Sequence, residues 1–121
     1  MDKDSCVIWN EIVVVVVFFS GQRKTLPCLS GNLYRPHLVV KGDDEYLGIW
    51  FAGGMVCCFD EPARAVVRPL YEGVHYNKLR PGTQFYVMEG NKKVGEGSVE
   101  KILPYLHNQP GAEVREEWQA E

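Results

Sequence analysis

The stretch CVIWNEIVVVVVFF, residues 6–19, decides the fold class of this chain. It consists mainly of β-branched and aromatic residues, which pack well on a pleated sheet and poorly in a helix. The stretch therefore predicts a long first β-strand. From Val13 to Phe19 the hydrophobicity is continuous rather than alternating, which predicts that both faces of the strand are covered. Either a partner's surface or a loop of the same chain would supply the outer cover.

Shorter strands are predicted along the rest of the chain, at residues 34–40, 46–52, 55–59, 63–70, 84–88 and 94–103. The pair Gly53 and Gly54 predicts a turn, and residues 89–93 predict the loop of a hairpin. Alternation places Arg64 and Arg68 on one face of their strand. Short strands, regular turn signals and no convincing helix before residue 104 predict an all-β fold, a small antiparallel β-barrel of about six to seven strands.

Length and composition predict a single domain. The chain has 121 residues, of which 45% are hydrophobic, enough for one core. Because Pro104 and Pro110 break regular structure, we expect a barrel over residues 1–103 and a loose tail over residues 104–121. The net charge of −3 disfavours generic nucleic-acid binding. Much of that acidity lies in the tail, which leaves room for a local basic patch on the body.

The apolar run at residues 12–19 is much shorter than the roughly 20 residues that cross a bilayer as a helix. Asp2, Asp4 and Glu11 are acidic where a secretory signal would be basic. The sequence therefore predicts a protein without membrane contact, located in the cytoplasm.

Cysteine and histidine spacing argues against a metal site. The cysteines are Cys6, Cys28, Cys57 and Cys58, with no C-x-x-C pair, and the histidines are His37, His75 and His107, with no close ligand partner. We expect buried, reduced thiols that pack in the core, because free cysteine is among the most buried residue types. Cys57 and Cys58 would point to opposite faces of a strand, so that only one faces the core.

No catalytic pattern is found in the sequence: G-x-S-x-G, the P-loop and H-E-x-x-H are all missing. A nucleophilic Cys57 or Cys58 would need a histidine brought near by folding and a group that lowers the thiol pKa. Nothing in the sequence supplies either of these. We therefore predict no enzyme activity and no cofactor.

Two motifs resemble a known family. GQRKTLPCLSGNLYRPHLVV, residues 21–40, resembles the segment of the third domain of elongation factor Tu in which Gly-Gly-Arg-x-Thr-Pro leads to Gly-Tyr-Arg-Pro-Gln-Phe. FYVMEGNKKVGEGSVEKIL, residues 85–103, is similar to the end of that domain, with its Arg-Glu-Gly-Gly-Arg-Thr-Val-Gly-Ala-Gly hairpin. The resemblance spans residues 12–103 and implies that family's β-barrel. It implies tight turns or a bulge at Gly90 and Gly97.

The resemblance also implies a non-catalytic role, because in the family this domain helps to hold aminoacyl-tRNA and the exchange factor. Arg23 matches the loop arginine of the family, and Glu89, Gly90 and Lys92 match the hairpin that lies near the tRNA T-stem. If the two loops meet in space, they form a basic cluster with one aromatic side chain. The candidate RNA- or partner-binding residues are Arg23, Lys24, Tyr34, Arg35, Glu89, Gly90, Lys92 and Lys93.

These observations favour a stand-alone, non-catalytic binding module that engages a protein partner, related to translation or to immunity against a toxin. One alternative is a module that binds tRNA or other RNA through the T-stem surface of the family. Another is a small enzyme with an unrecognised pocket. A homodimer through the valine-rich first strand is a further expectation.

Overall fold

The computed structural model describes residues 8–71 and 76–106. This part of the chain consists of β-strands joined by loops and turns, without a helix. The strands are β1 (Ile8–Phe18), β2 (His37–Val40), β3 (Leu47–Gly54), β4 (Ala63–Pro69), β5 (Gln84–Glu89) and β6 (Lys92–Leu106). Cys6, His75, His107 and the predicted tail from residue 107 onward lie outside the described residues.

All six strands close into one antiparallel barrel in the order β1-β4-β3-β2-β5-β6. The predicted fold class, a small all-β barrel, is confirmed. Strand β1 is hydrogen-bonded to β4 on one edge and to β6 on the other. Because both edges are paired, a homodimer through this strand would have to use its outer face.

The core lies inside the barrel and is built from alternate residues of each strand. Strand β1 contributes Ile12, Val14, Val16 and Phe18, which pack against residues of the other strands such as Phe85. A period of two places every second side chain inside.

The outer face of β1 is covered over part of its length. The side chains of Glu11 and Val13 point outward, yet only 2% and 0% of their surfaces are exposed. Val15 and Val17, farther along the same face, are half-buried. The prediction of a strand covered on both faces therefore holds at Val13 and only partly at Val15 and Val17.

The predicted strand at residues 55–59 is wrong, because strand β3 continues through the glycine pair that was expected to turn. The β3–β4 register shifts between Phe51 and Gly53, and the pairing then continues to Gly54 opposite Ala65. Gly54 has φ +129°, and a Cβ there would lie 2.9 Å from the Ala65 Cα. The glycine thus permits close approach of two strands, and residues 55–62 form the connecting loop.

Strand β6 also departs from the prediction, since it passes through Pro104, which pairs with Asn10 of β1. Pairing with β5 ends at Ser98. The backbone of Val99 still bonds to Thr83 and Gly82. Farther along, β1 is the one strand of the described residues that pairs with β6, so Pro104 removes no hydrogen bond from a second ladder. The strand ends at Leu106 rather than at residue 103.

The two glycines singled out in the β5–β6 hairpin have different roles. Gly90 has φ +65° and forms the two-residue turn with Asn91, which confirms the predicted tight turn. Gly97 lies in regular pairing with Val16 and Phe85 and is neither a turn nor a bulge, so that prediction is wrong. A Cβ at Gly97 would collide with the backbone oxygen of Val15, so the glycine is required by close packing.

Candidate binding face

Three of the predicted site residues meet around one carboxylate oxygen. Glu89, at the end of β5, accepts a hydrogen bond from Arg23 Nε at 2.7 Å and from the Tyr34 hydroxyl at 2.6 Å, both on the Oε2 atom. Arg23 also donates from Nη1 to the carbonyl oxygen of Thr25 at 2.6 Å. The two loops of the resemblance therefore do meet in space, and we call this contact the Glu89 latch.

Tyr34 is a half-buried member of the Glu89 latch. Its ring stacks on Phe51 with a centroid separation of 5.4 Å, and the Arg23 guanidinium carbon lies 5.3 Å from the Tyr34 centroid. Burial, together with the hydrogen bond to Glu89, raises the pKa of Tyr34 far above its ordinary value. The phenol therefore keeps its proton and remains a donor. The Glu89 carboxylate compensates the charge of Arg23. The latch therefore joins the loop to the hairpin and does not offer an uncompensated cation to a ligand.

Tyr34→Phe should lower the free energy of unfolding by about 1.5 kcal/mol, because the charged acceptor at Glu89 loses a donor in a partly buried setting. Urea denaturation followed by circular dichroism measures this change. Tyr46→Phe is the matched control, because Tyr46 is 44% exposed and we expect a change below about 0.5 kcal/mol there. Equal losses in both variants would contradict a stabilising latch.

The other predicted site residues do not join the Glu89 latch. Arg35 is exposed, and its Nε donates to the carbonyl oxygen of Asn32 at 3.3 Å. The remaining four are exposed in the loop or the hairpin: Lys24, Gly90, Lys92 and Lys93. The structure brings Arg23, Tyr34 and Glu89 together and leaves the three lysines outside the latch.

A second feature, which the sequence analysis did not single out, lies on the outside of the barrel. We call it the aromatic face, and it consists of the outward side chains His37, Tyr46, Trp50, Tyr71 and Tyr86. His37 contacts Tyr46 edge-on, with ring centroids 5.5 Å apart. Tyr46 and Tyr71 are 44% and 52% exposed.

Gly48 provides the space for part of the aromatic face. It pairs with His37 in the β2–β3 register and has an outward orientation, because its neighbours Leu47 and Ile49 are in the core. A Cβ at this position would lie 2.5 Å from the Tyr71 ring and 3.6 Å from His37 Nε2. The missing side chain thus lets the Tyr71 ring lie directly on the strand, next to His37.

Cations lie over two rings of the aromatic face. The guanidinium carbons of Arg35 and Arg68 lie 5.9 and 5.7 Å from the centroid of Trp50. The ammonium nitrogens of Lys93 and Lys41 lie 3.7 and 4.9 Å from the centroid of Tyr86. These separations are within the range of cation–π attraction, so the cations help to hold both rings in place.

The Arg68 side chain is held from the opposite side by a buried acid. Glu11 of β1 accepts hydrogen bonds on Oε2 from Arg68 Nε at 2.9 Å and from Arg68 Nη2. The predicted sharing of one face by Arg64 and Arg68 is confirmed, because the alternate residues Ala65 and Val67 lie in the core. Arg64 pairs there with Glu100 at 2.6 Å. The Glu11 pair fixes the guanidinium that lies near Trp50, so the aromatic face is anchored to the first strand.

The thiols contradict the sequence prediction of buried cysteines. Cys28, Cys57 and Cys58 are all exposed and free. For Cys57 and Cys58, the physical reason is that residues 55–62 form a loop rather than a strand, so neither side chain points into the core.

Within residues 8–71 and 76–106, no group of three or more His, Cys, Asp or Glu side chains could hold a metal ion.

Comparison with protein families, with curated proteins and with solved structures found no match to this chain. The likeness to elongation factor Tu therefore stays a prediction from the two motifs. Across the described ranges, there is no helix of the length and apolar character needed to span a membrane.

Proposed function

We propose that this protein is a non-catalytic binding module that engages a protein partner through the aromatic face. The observation that carries the proposal is the clustering of aromatic side chains on the outside of the barrel, with Tyr46 and Tyr71 about half exposed. Large aromatic side chains that remain accessible in a cluster mark interaction surfaces, whereas single exposed apolar residues do not.

The composition of the aromatic face supports a protein partner. Interfaces are enriched in tyrosine, tryptophan, methionine and arginine, and the residues that dominate binding are most often tryptophan, tyrosine and arginine. Here Trp50 lies close to Arg35 and Arg68, and Met88 pairs with His37 across the β2–β5 ladder. Rings held by neighbouring side chains lose little further freedom on binding, which favours affinity.

The resemblance to elongation factor Tu supports a partner connected with translation. Such a partner is either a ligand of that factor, for which this protein competes, or a toxin that exploits the translation machinery, against which it confers immunity. The proposed location is the bacterial cytoplasm, where those partners occur. Because one fold can serve many functions, the aromatic face carries more weight in the proposal than the fold does.

RNA binding is the second candidate, and the observation that favours it is the position of cations over aromatic rings at Trp50 and Tyr86. Bases stack on aromatic side chains, and lysine and arginine contact phosphates. Exposed Lys92 next to Lys93 adds positive charge at the hairpin. The net charge of −3 weighs against this candidate, because it repels a phosphate backbone at long range.

An affinity capture with matched variants tests both candidates. The wild type, Tyr46→Ala/Tyr71→Ala and Leu33→Ala/Met55→Ala would be used on native lysate, with protein and RNA identified in the eluates. Leu33 and Met55 are 80% and 76% exposed and lie outside the aromatic face, so the second variant controls for loss of exposed apolar surface. We expect one stoichiometric protein with the wild type and with the control.

The face variant should bind that protein at least about 30-fold more weakly, because interface aromatic residues often contribute 2 kcal/mol or more. Equal capture by all three proteins would contradict the proposal. Recovery of RNA in place of protein, with an affinity that falls steeply as salt rises, would instead establish the second candidate. Lys92→Glu/Lys93→Glu would then be expected to lose the RNA.

A further inference from the structure

The loop between β3 and β4 presents two adjacent thiols to solvent. Cys57 and Cys58 are both exposed, and neither is in a disulfide. Free cysteine is among the most buried residue types, so two neighbouring exposed thiols run against the usual distribution. Because both side chains are exposed, a packing role in the core does not account for them, and we consider their thiol chemistry instead.

The thiol loop is fastened to the end of the barrel. The Asp60 N–H donates to the carbonyl oxygen of Phe18 at 2.7 Å, and the Ser20 N–H donates to Asp60 Oδ1 at 3.0 Å. Asp60 has φ +68°, a left-handed conformation that is unfavourable for most residues and is held here by these contacts. The hydrogen bonds from Ser20 lower the pKa of Asp60, so the carboxylate stays ionised at neutral pH. The two exposed thiols therefore lie on a loop that hydrogen bonds hold to the barrel.

Adjacent cysteines are poorly placed for a direct disulfide. Consecutive Cα atoms are about 3.8 Å apart, whereas disulfides join Cα atoms roughly 4.4–6.8 Å apart. If a single atom bridges the two sulfurs, the sulfurs can lie farther apart than in a disulfide, and the geometric restriction on adjacent cysteines is relieved. After one sulfur has bound such an atom, the second is held close to it by the chain, which favours chelation.

We propose that Cys57 and Cys58 form a dithiol site for a single thiophilic centre, either a trivalent arsenical or a monovalent soft metal ion such as Cu(I). Soft thiolate ligands favour such centres over calcium or magnesium. Two thiolates are fewer than the four ligands of a structural zinc site. With an organoarsenic oxide, two As–S bonds form, the arsenic–oxygen bond breaks, and the two thiol protons leave with the oxygen as water. No oxidant or reductant is required. This inference does not depend on the proposed partner binding.

Phenylarsine oxide tests the site in the full-length chain. Cys6→Ser/Cys28→Ser keeps only the adjacent pair and should still form a one-to-one adduct by intact mass. A dithiol competitor should reverse this adduct, whereas an equal concentration of thiol groups from a monothiol should not. Adding either Cys57→Ser or Cys58→Ser should weaken binding by about 100-fold or more, because the chelate is lost. Since both side chains are exposed, thermal unfolding should stay unchanged.

Competition for Cu(I) against a chromogenic chelator distinguishes the two kinds of ligand. Binding of Cu(I) that needs both cysteines assigns the site to a metal ion, and an arsenical adduct without Cu(I) binding assigns it to a metalloid. The proposal is overturned if single-cysteine variants bind phenylarsine oxide as tightly as the intact pair. It is also overturned if the Cys6→Ser/Cys28→Ser protein binds neither ligand.

Discussion

Gly97→Ala should destabilise the barrel by about 3 kcal/mol, the upper end of the range for overpacking in a well-packed core. Gly97 of β6 lies between β1 and β5, opposite Val16 and Phe85. A Cβ there would collide with the carbonyl oxygen of Val15 and would lie 3.0 Å from the Phe85 ring. The oxygen belongs to the backbone of a strand paired on both edges, so it cannot move aside without disturbing the sheet.

The measurement is the free energy of unfolding from urea denaturation, followed by tryptophan fluorescence and by circular dichroism. Gly53→Ala is the control, because it makes the same chemical change in β3 at a position where a Cβ meets no atom within 4 Å. There we expect a change of less than about 1 kcal/mol, with either sign. If the two variants lose stability to within about 0.5 kcal/mol of each other, β1 and β6 can move apart with little loss of free energy, and the prediction is wrong.

Arg68→Met should cost about 3–5 kcal/mol, because it removes the guanidinium that compensates a buried carboxylate. Glu11 is 2% exposed, and its Oε2 atom accepts both hydrogen bonds from Arg68. The second oxygen, Oε1, is buried without a hydrogen-bond partner among the described residues. The acid therefore depends on Arg68, and methionine keeps much of the volume of the arginine stem while removing its charge.

Two variants separate this charge effect from a loss of packing. Glu11→Leu/Arg68→Met should recover most of the lost stability, because removing both partners leaves no buried charge. Arg64→Met breaks the more exposed pair with Glu100 and should cost less than about 1 kcal/mol. If Arg68→Met costs no more than Arg64→Met, or if the double variant is as unstable as Arg68→Met, Arg68 does not stabilise the barrel by compensating the charge of Glu11.

The candidate site was partly predictable from sequence. Arg23, Tyr34 and Glu89 are three of the eight residues that the two motifs predict as candidates, and hydrogen bonds to Glu89 join these three. The sequence does not indicate the aromatic face, although Tyr46 and Trp50 share one face of the strand predicted at residues 46–52. The rest of that face comes from other strands and from Tyr71, and no local pattern brings those rings together.

The errors at residues 53–59 have one physical origin. A glycine pair favours a turn when only its neighbours in the chain are considered, and the short apolar stretch after it then resembles a strand. In the barrel, Gly54 instead allows β3 to approach Ala65 closely, so the strand runs on and the loop starts later. The exposure of Cys57 and Cys58 follows from this shift, which is why the buried-thiol prediction failed as well.

The all-β class, the long first strand, the β5–β6 hairpin and the alternation that builds the core can all be predicted from the amino-acid sequence. These properties depend on side-chain type and on a period of two, which act over a few neighbouring residues. The strand order, the close packing at Gly48 and Gly97, and the pairing of Glu11 with Arg68 become evident only in the folded barrel. Those features depend on contacts between residues far apart in the chain, which exist only after the barrel has closed.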